Sequence, residues 1–279
     1  MAHSRATPYL GAMIARIARL DSRALIRVSG PDARPFLHNL LTQEVETLAP
    51  GGLRFGALLS PPGRLLFDLF LWGEPDAVVL DVATDRRDAL LQRLAMYRLR
   101  AQVAVEADAR PVFAAFGGDL PPGLIADPRL PDLGGRGLGL SGEPMTNASE
   151  DDYNTHRLSL GVPDPAADTL PDKTYVIEAN FDLLNGIDFQ KGCYVGQETT
   201  SRMKRRGAIK TRMLPIAFDG PPPPFGTEVL NGDLRAGEVL GGRDGGAMAL
   251  LRLDRLEGAL TVEWRTVTVR WPGWMAAPA

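Results

Sequence analysis

The densest chemistry in the chain lies at 188–206, DFQKGCYVGQETTSRMKRR. It holds the only cysteine, Cys193, two residues after Lys191 and just ahead of a helix start expected at Gln197. A thiolate, not a thiol, is the nucleophile and the metal ligand; a helix N-terminus and cations such as Lys191 and Arg202 favour it. Gly192 and Gly196 let the backbone bend tightly and approach a ligand closely. On composition alone, a single free cysteine reads as a small buried hydrophobe. Its setting among Lys, Gly, Gln and Glu brings a functional reading level with that one.

Much other chemistry is excluded. One cysteine rules out an internal disulfide, a CxxC pair and an all-cysteine zinc site. His3, His38 and His156 are too scattered for a histidine-built metal centre. His38, beside Phe36 and Leu37, reads as a satisfied structural histidine. Lysines and arginines number 31 against 34 acidic residues, a net charge of −3 over 279 residues, without the basic excess of a general nucleic-acid or membrane-surface binder. Residues 191–212 nevertheless carry seven cations and one anion, which suits a polyanion or a ligand with several carboxylates. The ordinary reading of such a run is a solvated face. From Arg202 to Arg212 no aromatic residue interleaves the cations, so a stacking platform for single strands is missing there.

No run of about 18 apolar residues spans a membrane. The start, MAHSRATPYLGAMIARIARLDSR, lacks the apolar stretch of a secretory signal, and its arginines faintly resemble a transit peptide. Residues 12–28 already read as structure, so the expectation is a reducing, cytoplasmic protein, and a monomer.

The elements that must position the thiol follow from pattern. Apolar runs at 13–20 and 24–28 around Asp21-Ser22 predict a hairpin. Phe36, Leu37, Leu40 and Leu41 form one helical face after Pro31-Asp32. Strands are expected at 53–59 and 65–72 around the turn Ser60-Pro61-Pro62-Gly63. Thr84-Asp85 starts a helix of about 14 residues with Leu90, Leu94 and Tyr97 on one side. Strands at 102–106 and 111–116 precede a glycine- and proline-rich loop over 117–146. A helix starts near Asn147 or Ser149, with Glu150 or Asp152 closing a capping box, and ends at Gly161. Beyond residue 211, Pro221–Pro224 and the Asn-Gly and Gly-Gly pairs separate short alternating runs, as in a small β-barrel or sandwich. Strands mixed with isolated helices, without a βαβ rhythm, give an α+β class.

The segment KGCYVGQETTSR matches the pattern K-G-C-Y-x-G-Q-E-x-x-x-R, and here the chain resembles the YgfZ family. That family is related to the glycine-cleavage T-protein, an aminomethyltransferase, and includes a mitochondrial iron–sulfur assembly factor. RALIRVSGPDARPFLHNLLTQEV, GRLLFDLFLWG, HRLSLGVPD, EANFDLLNGIDF and the glycine-rich C-terminal segment resemble their counterparts, so the likeness runs close to full length. It implies a T-protein-like fold: two folate-binding α+β subdomains over residues 1–210, then a small C-terminal β-barrel over 211–279. It also implies an accessory factor for assembly or repair of iron–sulfur proteins, with tetrahydrofolate or a one-carbon derivative as ligand. Its partners would be client iron–sulfur proteins or cluster carriers.

By that resemblance Cys193 is the key residue, with Lys191 and Asp68 beside it as catalytic candidates. Tyr194, Gly196, Gln197, Glu198, Arg202 and Arg157 are candidates for the cofactor. Departures from the T-proteins are informative. They carry paired acids where this chain has Phe67-Asp68, and a glutamate beside folate where it offers Ser159. Aminomethyl transfer needs a carboxylate at the reacting nitrogen. A folate-dependent one-carbon transferase is therefore a second reading, and an RNA- or partner-binding module using 202–212 a third. A stable iron–sulfur cluster needs four ligands, so one cysteine holds no permanent metal. Cys193 is left with transient cluster ligation, reversible oxidation or mixed disulfides, or covalent addition to a one-carbon unit. All of these require the sulfur to be reachable, and the expectation places it at the lip of the folate cleft.

Overall fold

A computed structural model describes residues 14–140, 146–207 and 209–276. The start of the N-terminal leader-like stretch, His3 and positions 141–145 of the expected loop lie outside the described residues.

An antiparallel five-stranded sheet forms the centre, in the order Leu53–Leu59, Leu65–Gly73, Ala77–Ala83, Arg23–Ser29, Ala104–Asp108. Leu65–Gly73 and Ala77–Ala83 are buried along their whole length, and alternate residues of the sheet feed two cores because strand side chains point to opposite sides. Ile26, Leu58, Leu69, Leu71, Val78 and Leu80 pack against Leu37 of helix Ala33–Leu40 and Leu90 and Leu94 of helix Arg87–Arg98. Leu25, Phe55, Ala57, Phe70 and Val79 face the other way. There they meet Ala18, Val112, Ala114 and Phe116 of a four-stranded sheet, and Met213, Leu240 and Met248 of the C-terminal unit. The two subdomains thus share one apolar layer.

Three expectations from sequence differ from what forms. Arg16–Arg19 and Arg23–Ser29 are not a hairpin: the first pairs with Val112–Phe116, the second with Ala77–Ala83 and Ala104–Asp108. Asp21-Ser22 is where the chain changes sheets, and Ala18 and Ile26 accordingly enter different cores. The 117–146 loop contains strands Ile125–Ala126 and Gly135–Leu138, the latter on Val112–Phe116. Its glycines serve close packing: a Cβ on Gly134 would lie 2.0 Å from the Ala115 carbonyl oxygen. Ala77–Ala83 is a further strand, whose unbroken burial leaves no alternation to read.

Ser149 caps the helix Glu150–Ser159 through a capping box with Asp152, and Gly161 follows it in a left-handed conformation. The C-terminal unit is a closed six-stranded barrel, in which Thr211–Ala217 pairs with both Gly246–Arg252 and Arg265–Val269. Leu234–Arg243, Glu228–Asn231 and Leu260–Val262 complete the ring. Asn180 Nδ2 donates to the Met213 carbonyl (2.8 Å), and the Met213 amide donates to Glu178 (2.8 Å), fixing the barrel to the segment before the thiol. Among the described residues no helix is long and apolar enough to cross a membrane.

Candidate functional site

Residues 186–197 run as turns between the central sheet and the helix Gln197–Arg206. Thr42, just beyond the first helix, ties their start: its Oγ1 donates to the Gly186 carbonyl (2.6 Å), and its carbonyl accepts from the Asp188 amide (3.0 Å). Asp188 Oδ1 then accepts from the amides of Gln190 (2.8 Å) and Lys191 (3.2 Å), closing the turn. Lys191 is buried, and its Nζ donates to the carbonyls of His38 and Leu41, the latter at 2.8 Å. Burial lowers the Lys191 ammonium to about 8, although Glu44, Asp188, Glu46 and Cys193 all favour its charge.

At the far end, Gly196 has φ +82° and precedes the helix. A Cβ there would lie 2.8 Å from the Ser60 carbonyl oxygen and 2.9 Å from the Gly63 Cα, and Gly63 is itself left-handed at φ +88°. Only two glycines allow this backbone-to-backbone approach. Between the anchors, Tyr194 packs inward with Leu59, Leu65 and Ile187. Burial pushes its phenol up to about 12, and among the described residues its hydroxyl has no hydrogen-bond partner. The neighbouring side chain, Cys193, is exposed. The turn therefore holds a reachable thiol on a fixed base.

The remaining site candidates separate into two places. Gln197 and Glu198 line an open surface cavity of about 600 Å³ with Phe189, Ser201, Lys204 and Arg205. Arg202 is exposed on the same helix. Asp68 and Arg157 line a different cavity, with Arg23, Phe70, Arg129, Arg136 and Tyr153. None of residues 188–206 lines that central cavity, so Cys193 is not at its lip.

The central cavity is where the resemblance would seat folate; its inner part measures about 20 Å³ and adjoins an open cavity of about 630 Å³ with which it shares Ser22, Arg23, Glu150, Asn154 and Asp164. Ion pairs fill the inner part. Arg23 bonds Asp81 (2.6 Å) and Asp68 (2.9 Å), and Arg136 bonds the other Asp81 oxygen (2.7 Å). Arg129 pairs with Asp127 at 2.8 Å, and all three guanidiniums lie over the Phe70 ring. Asp68 is thus not an open cleft carboxylate on a strand edge. Its strand is interior to the sheet, and its oxygen is committed to Arg23. Arg157 is neither a surface ion-pair partner nor free for a ligand: it is buried, bonds the Val162 carbonyl and lies 3.9 Å from Asp168. Asp68 and Arg157 are thus both committed to partners within the protein, and no step is derived through folate.

The basic run is also broken up. Lys191 is buried, Arg212 is buried in a two-point pair with Asp182 (2.8 and 2.9 Å), and Lys204 lies 3.6 Å from the same carboxylate. What stays exposed is Arg202, Arg205 and Arg206, neighbours on one helix, and Lys210 beyond it. His38, expected to be a satisfied structural histidine, bonds Glu44 at 3.1 Å beside the thiol turn; the sequence did not single out Glu44. A side chain on Gly192 would lie 3.9 Å from His38 Nε2. The six-residue spacing of His38 and Glu44 was visible; their approach to a segment 150 residues later was not.

Comparisons with known proteins agree with this geometry. Residues 210–277 match the C-terminal beta-barrel domain of CAF17, the unit seen as a closed barrel. The iron–sulfur cluster assembly factor IBA57 of Mus musculus mitochondria is 31% identical over 287 aligned residues, covering 88% of this chain and 80% of that protein. The Homo sapiens counterpart is also 31% identical, covering 88% and 79%. The crystal structure of glycine cleavage system aminomethyltransferase T from Bartonella henselae superposes with a TM-score of 0.73 at 18% identity, over 94% of this chain and 87% of that one. At that identity the likeness establishes the T-protein-like α+β fold alone. Identity to the assembly factors, sustained across most of both chains and joined to the matching barrel, places this protein in the IBA57, CAF17 and YgfZ family.

Proposed function

We propose that the protein is an accessory factor in the assembly or repair of iron–sulfur proteins, and that Cys193 is its working group. The carrying observation is an exposed thiol on a turn fixed at both ends, by Lys191 on the His38 and Leu41 carbonyls and by Gly196 against Gly63. Fixed presentation of one ligand suits an exchangeable cargo better than storage. A cluster needs four protein ligands, mostly thiolates. One thiolate from this chain leaves the rest to a carrier or client, so the cluster is held only while both proteins are together. The mitochondrial relatives named as assembly factors support the same reading.

The proposal draws nothing from the central cavity. One-carbon transfer would ask Asp68 to act on a substrate, and Asp68 is bonded to Arg23. Tetrahydrofolate binding at Asp68 itself would require the Arg23, Asp68 and Asp81 pairs to open.

The deciding experiment pairs a cluster-loaded carrier with an apo client enzyme and follows recovery of client activity with and without this protein. Cys193→Ser is expected to remove the stimulation while unfolding at the wild-type temperature. Stimulation by the serine variant equal to wild type would discard the thiol role.

A further inference from the structure

Cys193 is not the only metal-directed group at the thiol turn. His38 ends the helix Ala33–Leu40, and its side chain is 12% exposed. Its Nδ1 lies 3.1 Å from Glu44 Oε1. That oxygen is held in turn by the amides of Glu46 (2.6 Å) and Thr47 (3.3 Å). An oxygen that already accepts from two backbone amides takes the ring N–H as well, so Glu44 sets the ring plane and the ring proton sits on Nδ1.

The other ring nitrogen is left over. Nε2 makes no hydrogen bond among the described residues, and it faces Gly192, where a Cβ would sit 3.9 Å away. Cys193 is the next residue, and its side chain is exposed. His38, Glu44 and Glu46 also bring ligand atoms within 4.8 Å of one another. A carboxylate on one imidazole nitrogen and an open site at the other is the arrangement of a metal-ligating histidine, in which the outer partner fixes the tautomer. The expectation of a structural histidine misses this, because both of its polar partners lie outside its own helix.

We propose that His38 Nε2 and Cys193 Sγ form a two-ligand half-site for a thiophilic metal centre, with Glu44 as the carboxylate behind the histidine. This rests on the reading of Cys193 as a metal-directed thiol and adds a second ligand to it. The centre is a divalent ion or the iron of a cluster in transit. Binding releases the Cys193 proton to solvent, leaves His38 neutral and changes no oxidation state. One nitrogen and one sulfur leave half of a tetrahedral shell for a partner's ligands, so the centre is bound and still transferable.

Cobalt(II) added anaerobically to the full chain reads the site directly, since thiolate ligation gives a near-ultraviolet charge-transfer band. Wild type is expected to bind one equivalent with that band, and Cys193→Ser to lose it. His38→Gln and Glu44→Gln should each weaken binding about 10–100-fold, with circular dichroism and unfolding temperature unchanged. Glu46→Gln should bind like wild type. Three outcomes overturn the half-site: no band in wild type, undiminished affinity in His38→Gln, or a loss confined to Glu46→Gln, which would move the metal onto the carboxylates. If His38→Gln also stimulates cluster transfer like wild type while Cys193→Ser does not, the histidine is discarded and the thiol reading stands.

Discussion

Lys191 Nζ lies 2.8 Å from the carbonyl oxygen of Leu41, closing the C-terminal end of a helix that starts more than 150 residues earlier. The last carbonyls of a helix have no partner within it and carry partial negative charge. The motif lysine supplies that partner. It anchors the thiol turn, and its charge is spent on the helix end.

Lys191→Met should therefore lower stability, and Cys193→Ser should not. Each carbonyl left unsatisfied costs about 1–3 kcal/mol. The loss should also depend on pH. Lys191 titrates near about 8 when folded and at 10.5 in its ordinary state. Between those values the unfolded chain holds more protons, so stability rises with pH. Urea unfolding at pH 8 and pH 10 should show the gap between wild type and Lys191→Met widening at the higher pH. A gap that stays constant or narrows removes the buried ammonium from the account.

The glycine pair gives a steric prediction. Gly196→Ala places a Cβ 2.8 Å from the Ser60 carbonyl oxygen, on a backbone at φ +82°. Gly207, the C-cap of the same helix, has φ +63° with nothing within 4 Å of its Cβ position. Gly207→Ala pays only the left-handed backbone, about 1–2 kcal/mol. Gly196→Ala should cost clearly more and shift the turn, which alkylation rates of Cys193 would report. Equal unfolding midpoints for the two variants would contradict the close approach to Gly63.

How far the sequence could be read follows from the range of each interaction. The Ser149 capping box, the helix start after Gly196 and the alternating barrel strands are set by neighbours a few residues apart, and each is present. The exposed thiol was foreshadowed by its polar setting. The sheet change at Asp21-Ser22 was hidden because either partner choice buries the same apolar residues. Pairing of Arg23 with Asp68 and Asp81 was hidden because a strand pattern gives the face of a residue, not its cross-strand bonds. That hidden cluster decides the state of the central cavity.

Arg23 is the centre of that cluster. Arg23→Met leaves Asp68 without its arginine and Asp81 with Arg136 alone. Breaking a buried pair from one side costs about 3–5 kcal/mol. Chemical unfolding should show a loss of that size. Calorimetric titration with tetrahydrofolate tests the same place from the other direction. With Asp68 and Arg157 already committed to protein partners, wild type should give no saturable heat at micromolar ligand. Saturable binding that Arg23→Met alters would show that the pairs open to admit the pteridine.

Asp168 joins the short helix Pro165–Asp168 to the barrel, accepting from the Asp164 amide at 2.7 Å and the Gly241 amide at 3.1 Å. Burial pushes its carboxyl up to about 7, from an ordinary 3.8. Between those values the folded chain holds the extra proton, so this group's contribution to stability falls as pH rises and is lost above about 7. Asp168→Asn cannot ionise and has no such slope. The advantage of wild type over Asp168→Asn in urea unfolding should accordingly shrink between pH 4.5 and pH 7.5. A growing advantage would mean that Arg157, 3.9 Å away, holds the carboxylate ionised throughout, and the barrel contact would then be an ion pair that strengthens on deprotonation.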